Sequence, residues 1–270
     1  MESIFFQILF IPIGIVSSLY LISFIKNTFL TYTNDSEVDT LWGLSPVIFI
    51  SIFFIFSQQT FFNIIITILI YLWGMRLFLV ILSKHQKSHF KEDKRYTSMK
   101  KSWNQNKFLF NLRRFVQIYV LQFILSLILV LPLLYFMFKF SSFNAIEHLM
   151  FNPGAIIMVV GLTIEHFADL QLKDFIKKKE IHMKSICDVG LWNYSRHPNY
   201  FGESLFWLGV AIAIIPITFY GFISWAMITS LLLFVSGIPT AEREFKGNEE
   251  FEKYKKEVNP FIPGFRKKSQ

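Results

Sequence analysis

Cysteine is almost absent: Cys187 is the only one in 270 residues. A single thiol excludes an intrachain disulfide framework and a cysteine-based zinc site. Charge is scarce as well, at 17% of residues, and the long apolar runs are nearly free of it. The six histidines, His85, His89, His148, His166, His182 and His197, are scattered. His85 and His89 stand at helical spacing, but in a basic loop with only Glu92-Asp93 nearby, so no metal is expected. The clustered histidine motifs of a membrane diiron hydroxylase are missing. No repeat or low-complexity tract stands out, and no linker is long enough to divide the chain into separate domains. The first apolar run, Ile4 to Ile25, lacks a basic leading region and a small-residue cleavage site, so a retained helix is expected rather than a signal peptide.

What is present is apolar bulk. Hydrophobic residues make up 53% of the chain and aromatic ones 18%, and the mean hydropathy is +0.43. That balance fits an all-α, polytopic membrane protein better than a soluble domain. The net charge of +8 does not imply nucleic acid, because the bases sit in the gaps between apolar runs, as they do beside membranes. A spanning helix needs about 20 apolar residues. Seven runs qualify: Ile4–Ile25, Leu41–Ser57, Phe61–Leu82, Phe115–Phe138, Pro153–Leu172, Asn199–Ile215 and Thr218–Gly237. The second is short and carries Pro46 near its start, where a first-turn proline is tolerated. Gln58-Gln59-Thr60 forms a tight hairpin to the third run, and Pro216 separates the last two.

Residues 83–114 hold ten Lys or Arg, residues 172–198 six, and residues 240–270 eight, together 24 of 27. With seven crossings these segments share one side, which the positive-inside tendency makes cytoplasmic, with the N-terminus outside. Loop 26–42 falls on the same side but is acidic, through Asp35, Glu37 and Asp39. One domain is expected, with residues 1–239 forming the helical bundle and 240–270 a cytoplasmic tail. The tail's amphipathic helix is expected over Ala241–Val258, ended by Pro260 and Pro263.

Ionisable residues inside spans are costly and usually face the bundle interior or a cavity. Here they are Arg76 in the third run, Glu165, His166 and Asp169 in the fifth, and Glu203 in the sixth. Glu165, Asp169 and Lys173 are spaced four apart, hence on one helix face. They suit an internal salt-bridge ladder, or the polar wall of a ligand cavity in which Asp169 accepts hydrogen bonds and Lys173 attracts phosphate. His166 alone suits a packing residue, and Arg76 a buried counter-ion for Asp169 or Glu203.

Chemistry concentrates in the stretch 190–203, Gly-Leu-Trp-Asn-Tyr-Ser-Arg-His-Pro-Asn-Tyr-Phe-Gly-Glu. Asn199 and Glu203 open the sixth helix, Pro198 suits its first turn, and His197 suits its cap. A helix N-terminus reinforced by Arg196 can host a phosphate or an amide carbonyl. An interfacial anchor belt would equally explain Trp192, Tyr194, Tyr200 and Arg196. It would not explain an acid one turn into the span.

The string Ser-Arg-His-Pro-Asn-Tyr-Phe-Gly-Glu at 195–203, with Gly190-Leu191-Trp192 before it, resembles the signature of the bacterial DUF1295 proteins. These are relatives of the steroid 5-alpha-reductases and of the C14/C7 sterol reductases. Asp39-Thr40-Leu41-Trp42-Gly43, Trp73-Gly74-Met75-Arg76-Leu77, Glu92-Asp93-Lys94-Arg95-Tyr96, Ser236-Gly237-Ile238-Pro239 and Phe261-Ile262-Pro263 are similar to further blocks of that family. The resemblance implies an integral membrane reductase of about seven helices. NADPH would enter from the cytoplasmic side, and a hydride would pass to a carbon–carbon double bond of a lipidic substrate. It further implies that Asp169 and Lys173 contact the cofactor, that Trp192, Asn199 and Tyr200 surround the nicotinamide and ribose with Arg196 and His197 beside them, and that Arg243, Lys246 and Tyr254 meet the adenosine phosphates. Hydride addition to an enone leaves negative charge on oxygen, which Glu203 kept protonated, Tyr194 or Tyr200 would neutralise. In the steroid 5-alpha-reductases a tyrosine three residues before the third-span arginine assists the carbonyl. Here that position is Trp73, with Tyr71 on another face and Asp39 the candidate for its paired acid, so the lipid is open between steroids and other conjugated lipids. A similar Arg-His-Pro-x-Tyr-x-Gly block in isoprenylcysteine carboxyl methyltransferases makes an S-adenosylmethionine-dependent membrane methyltransferase the alternative. A non-enzymatic lipid-binding protein of the same fold is the third reading.

Overall fold

In the computed structural model, residues 2–29, 34–103, 106–140, 145–178 and 185–267 are described. Every regular element among them is helical. The chain divides into two compact units, Met1–Phe143 and Asn144–Gln270.

The first unit begins with α1 (Glu2–Phe29). A short 3₁₀ turn, Asp35–Val38, leads into α2 (Asp39–Phe56). After the Gln58–Thr60 hairpin comes α3 (Phe61–Lys87), capped by the Thr60 hydroxyl, which accepts from the Asn63 N–H at 3.3 Å. A loop helix follows, α4 (Lys94–Lys100), capped by the Asp93 carboxylate. Then α5 (Lys107–Arg114) runs through a π-helical turn, Phe115–Val120, into α6 (Leu121–Lys139). This span therefore starts eight residues before the Phe115 expected, because the Asn106 side chain caps it early, accepting from Phe108 and Leu109. Pro46 also lies deeper than expected. It is within α2, beyond the first turn, and the Trp42 carbonyl consequently has no N–H from residue 46 to accept.

Close approach fixes the α2–α3 pair. A Cβ on Gly43 would stand 2.5 Å from the Gly74 carbonyl oxygen, and one on Gly74 2.6 Å from that of Gly43. Small residues let membrane helices pack backbone to backbone in this way.

The acidic loop is not solvated. Asp35 is fully buried and accepts from Arg114 Nε at 2.8 Å, Lys100 Nζ at 2.8 Å and the Tyr119 hydroxyl at 2.6 Å. Asn27 donates to Tyr119 at 3.1 Å. Beside this cluster Asp39 takes hydrogen bonds from Tyr96, from Arg95 at 2.9 Å and from Gln122 at 3.0 Å. Burial works against ionised Asp93, but hydrogen bonds from Arg95 and Lys84 outweigh it and hold the carboxyl well below its usual range.

The second unit is built on α7 (Ala145–Lys177) and α8 (Pro198–Ala213). α9 (Gly221–Ser230) continues through a π turn, Leu231–Val235, into α10 (Ile238–Arg243). α11 (Glu249–Glu257) lies in the tail. Glycines again set the pairing. Cβ atoms at Gly154, Gly161, Gly202 and Gly209 would each meet backbone of the facing helix at 2.4–2.8 Å. Gly154 and Gly161 are seven apart on α7, and Gly202 and Gly209 seven apart on α8, so each pair lines one face.

Among the described residues six helices are long and apolar enough to cross a membrane, and the chain is a multi-pass integral membrane protein. α8 is the remaining apolar run, the sixth in chain order. At 16 residues and about 1.5 Å per residue it reaches only about 24 Å, short of a hydrocarbon core of about 30 Å. It compensates by burial: ten of its residues are buried, whereas the flanking spans keep apolar faces such as Ile156, Phe167, Ile223 and Phe234 exposed toward lipid. Hydrogen bonds from Arg196, just before α8, to Glu242 in α10 make α8 and the α9–α10 stretch a hairpin. The basic segments on either side of it therefore lie at one end of this unit.

The tail is not one helix over Ala241–Val258. α10 and α11 are separated by a turn containing Gly247, whose φ of +85° is a left-handed conformation that interrupts the helix.

Candidate functional site

The stretch 190–203 folds against the tail. It opens with Gly190 at φ +59°, followed by a 3₁₀ turn, Gly190–Asn193. The Gln171 side chain on α7 accepts from the Leu191 N–H at 2.9 Å. The buried Trp192 ring donates its Nε1–H to the Ala168 carbonyl of α7 at 3.0 Å. These contacts seat the motif on α7.

Arg196 is buried and committed to protein. Its Nε donates to Glu242 at 2.9 Å, and its Nη1 donates to the carbonyls of Lys255 at 3.2 Å and Val258 at 2.7 Å. The last two belong to the C-terminal end of α11, where unpaired carbonyls favour a cation. The guanidinium expected to reinforce a phosphate site thus closes a helix end instead. His197 occupies the N-cap position of α8 without capping through its side chain. Its Nε2 lies 3.1 Å from Glu242, and its ring stacks on Tyr200 at 5.1 Å between centroids. Asn199 donates to Asp169 at 3.2 Å, which joins the first turn of α8 to α7.

Between motif and tail lies a cavity of about 260 Å³. Six of the residues singled out in the sequence line it: Trp192, Arg196, His197, Asn199, Tyr200 and Tyr254. Glu242, Cys187, Phe245 and Phe251 line it as well and were not anticipated. Glu242 carried one readable signal, an acid at the end of the last apolar run. Tyr254 is buried rather than poised at a phosphate. Its hydroxyl donates to the Trp192 carbonyl, and burial pushes its pKa above the usual tyrosine value. Burial likewise pushes the Cys187 thiol up to about 11.

The remaining expected residues stand outside the lining. Asp169 is half-buried on α7 and reaches the site through Asn199. Glu203 is buried one turn along α8 from Asn199. Glu165, of the same α7 face as Asp169, is buried, whereas Lys173 of that face is exposed, as are Tyr194, Arg243, Lys246 and His166. Among the described residues no group of three or more His, Cys, Asp or Glu side chains is placed to hold a metal ion.

The family model for proteins of unknown function DUF1295 matches residues 25–258. The chain belongs to the DUF1295 family. The match covers both units and ends at Val258, whose carbonyl accepts from Arg196. No curated protein matches the chain. In this DUF1295 protein the C-terminal tail docks on the Arg-His-Pro-Asn-Tyr block.

Proposed function

We propose that this DUF1295 protein is an NADPH-dependent membrane reductase that transfers a hydride to a carbon–carbon double bond of a lipidic substrate, steroid-like or another conjugated enone or polyprenoid. The observation that carries the reading is the cavity between motif and tail. Its walls are mostly apolar, aliphatic and aromatic side chains together, with a few converging polar groups, which is the usual composition of small-molecule and cofactor sites. Asn199, held by Asp169, presents an amide to such a ring. Trp192 and the stacked His197–Tyr200 pair supply flat surfaces. Arg243 and Lys246 are exposed on the tail that bounds the cavity and suit the phosphate end. A volume of about 260 Å³ is below the usual ligand-pocket range of about 300–1,000 Å³, so it suits one ring of a dinucleotide rather than the whole.

NADPH, when bound, supplies the hydride. The chain's part is to bind, orient and protonate. Of the three proton donors named from the sequence, Tyr200 lines the cavity, and its phenol is the donor of choice. Glu203, buried in an apolar stretch of α8, shapes the field near Asn199. Exposed Tyr194 is the weakest of the three. The basic segments at one end of the second unit support a site at the cytoplasmic leaflet by the positive-inside tendency and, with seven crossings, an outside N-terminus.

Nucleotide binding to purified Asn199→Ala and Asp169→Ala variants tests this reading. Both should lose NADPH binding while still inserting and running as a single species. Wild-type affinity in both would remove the cavity from the cofactor site. Tyr200→Phe should bind NADPH normally yet oxidise it slowly with a conjugated lipid enone, and full turnover would remove Tyr200 as donor.

A further inference from the structure

The cavity has one wall held by membrane helices and one wall that is not. The motif side is tied to α7 by Trp192 and by the glycine packing of α8. The tail side, Phe245, Phe251 and Tyr254, belongs to residues 244–258, outside every span. Gly247 joins Phe251 and Tyr254 to Phe245 and α10, which precede it. Its φ is +85°, and nothing lies within 4 Å of where its Cβ would be, so the joint is a left-handed turn with no side chain packed against it. The tail is held by Tyr254, which donates to the Trp192 carbonyl, by Ser195, which donates to the Phe261 carbonyl, by Ser185, which donates to Glu250, and by Arg196, and among these ties Arg196 is the one that spans the joint. Arg196 bridges Glu242 before the joint to the carbonyls of Lys255 and Val258 beyond it. The Arg196 N–H also donates to the Asn259 carbonyl at 2.9 Å.

We propose that Arg196 is a positioning residue that latches the tail: residues 248–267 form a hinged wall of the cavity, and a ligand enters when the guanidinium releases Glu242 and the end of α11. A cavity of about 260 Å³ takes only part of a dinucleotide, and opening the wall makes room for the rest. In this respect the latch deepens the cofactor reading above and rests on it. Docking of the tail in the absence of ligand does not depend on it.

The protein carries its own reporter. Cys187 is the sole cysteine, lines the cavity and is 6% exposed. An alkylating reagent reaches it when the wall opens. The experiment measures N-ethylmaleimide labelling of Cys187 in the detergent-purified, nucleotide-free full chain. Arg196→Lys keeps the charge but loses the planar fork that reaches both acceptors. Glu242→Gln removes the carboxylate. Losing a charged hydrogen bond shifts a local opening equilibrium by about tenfold or more, so both variants should label at least about tenfold faster than wild type. Exposed Lys253→Gln should label at the wild-type rate. Unchanged labelling in folded Arg196→Lys and Glu242→Gln overturns the latch. Hydrogen exchange on the wild-type chain gives a reading without any variant. The amides of α11 should open far more readily than those of α8, and exchange as slow as that of α8 overturns the hinged wall. Saturating NADPH should slow labelling of the wild type. If it has no effect while the variants still label fast, the cofactor reading fails and the latch stands.

Discussion

The packing of α7 on α8 makes Gly202→Val a direct probe of how the helix crossing sets the site. A Cβ at position 202 would stand 2.7 Å from the Gly161 carbonyl oxygen, 2.8 Å from the Glu165 nitrogen and 3.1 Å from the Glu165 Cβ. Two of these are backbone atoms that cannot rotate away. Ordinary contact begins near 3.4 Å, so the helices must part by about 0.7 Å, the difference between that and the closest approach. Overpacking of this kind costs about 1–3 kcal/mol. The better helix propensity of valine returns only about 0.4 kcal/mol, leaving a net loss near 2 kcal/mol. At about 2–4 °C per kcal/mol for chains of this size, the melting temperature in detergent should fall by about 4–8 °C. The same displacement acts one turn away. The Asn199–Asp169 hydrogen bond is 3.2 Å long, and 0.7 Å more takes it to about 3.9 Å, beyond hydrogen-bond reach. Ligand affinity should therefore fall along with stability. Gly14→Ala on α1, where nothing lies within 4 Å, should leave the melting temperature unchanged or higher. A Gly202→Val protein as stable as wild type would refute the reasoning.

Further consequences follow from the buried groups. Asp35→Asn in the first unit removes the charge that Arg114 and Lys100 share. Breaking a buried ion cluster from one side costs about 3–5 kcal/mol, so the melting temperature should drop by at least about 6 °C at about 2 °C per kcal/mol. A smaller change would mean the cluster is solvated. The Cys187 thiol, pushed up to about 11 by burial, has a thiolate fraction of only about one in a thousand at pH 8. Its alkylation rate should climb about tenfold per pH unit through pH 9 to 10. A plateau near the free-thiol value of about 8.5 would show that the thiol is exposed.

The spans were legible because apolar runs of membrane length leave few alternatives to helices. The hairpin at Gln58–Thr60 and the break at Pro216 were legible because turn chemistry is local. The length of α8 was less so, because its shortness is offset by burial between other helices, which hydropathy does not report. Asp35 looked like part of an acidic surface loop. Its partners Lys100, Arg114 and Tyr119 are 65, 79 and 84 residues away, and no local pattern announces such pairings. Six of the residues singled out in and around the Arg-His-Pro-Asn-Tyr motif and the tail line one cavity. The role of Arg196 was not legible. Its carboxylate partner Glu242 is 46 residues away, and only the fold brings the guanidinium to it and to the carbonyls of Lys255 and Val258. Gly247 split the tail helix that charge patterning alone had drawn as continuous, because one left-handed residue outweighs favourable composition on both sides of it.

The central claim is that the cavity between motif and tail holds a reduced dinucleotide. Titration calorimetry of the purified full chain with NADPH and with S-adenosylmethionine tests it most directly. Saturable binding of NADPH, abolished in Asn199→Ala, and no heat from S-adenosylmethionine is the expected result. Binding of S-adenosylmethionine with no response to NADPH would contradict the claim and make this DUF1295 protein a methyltransferase.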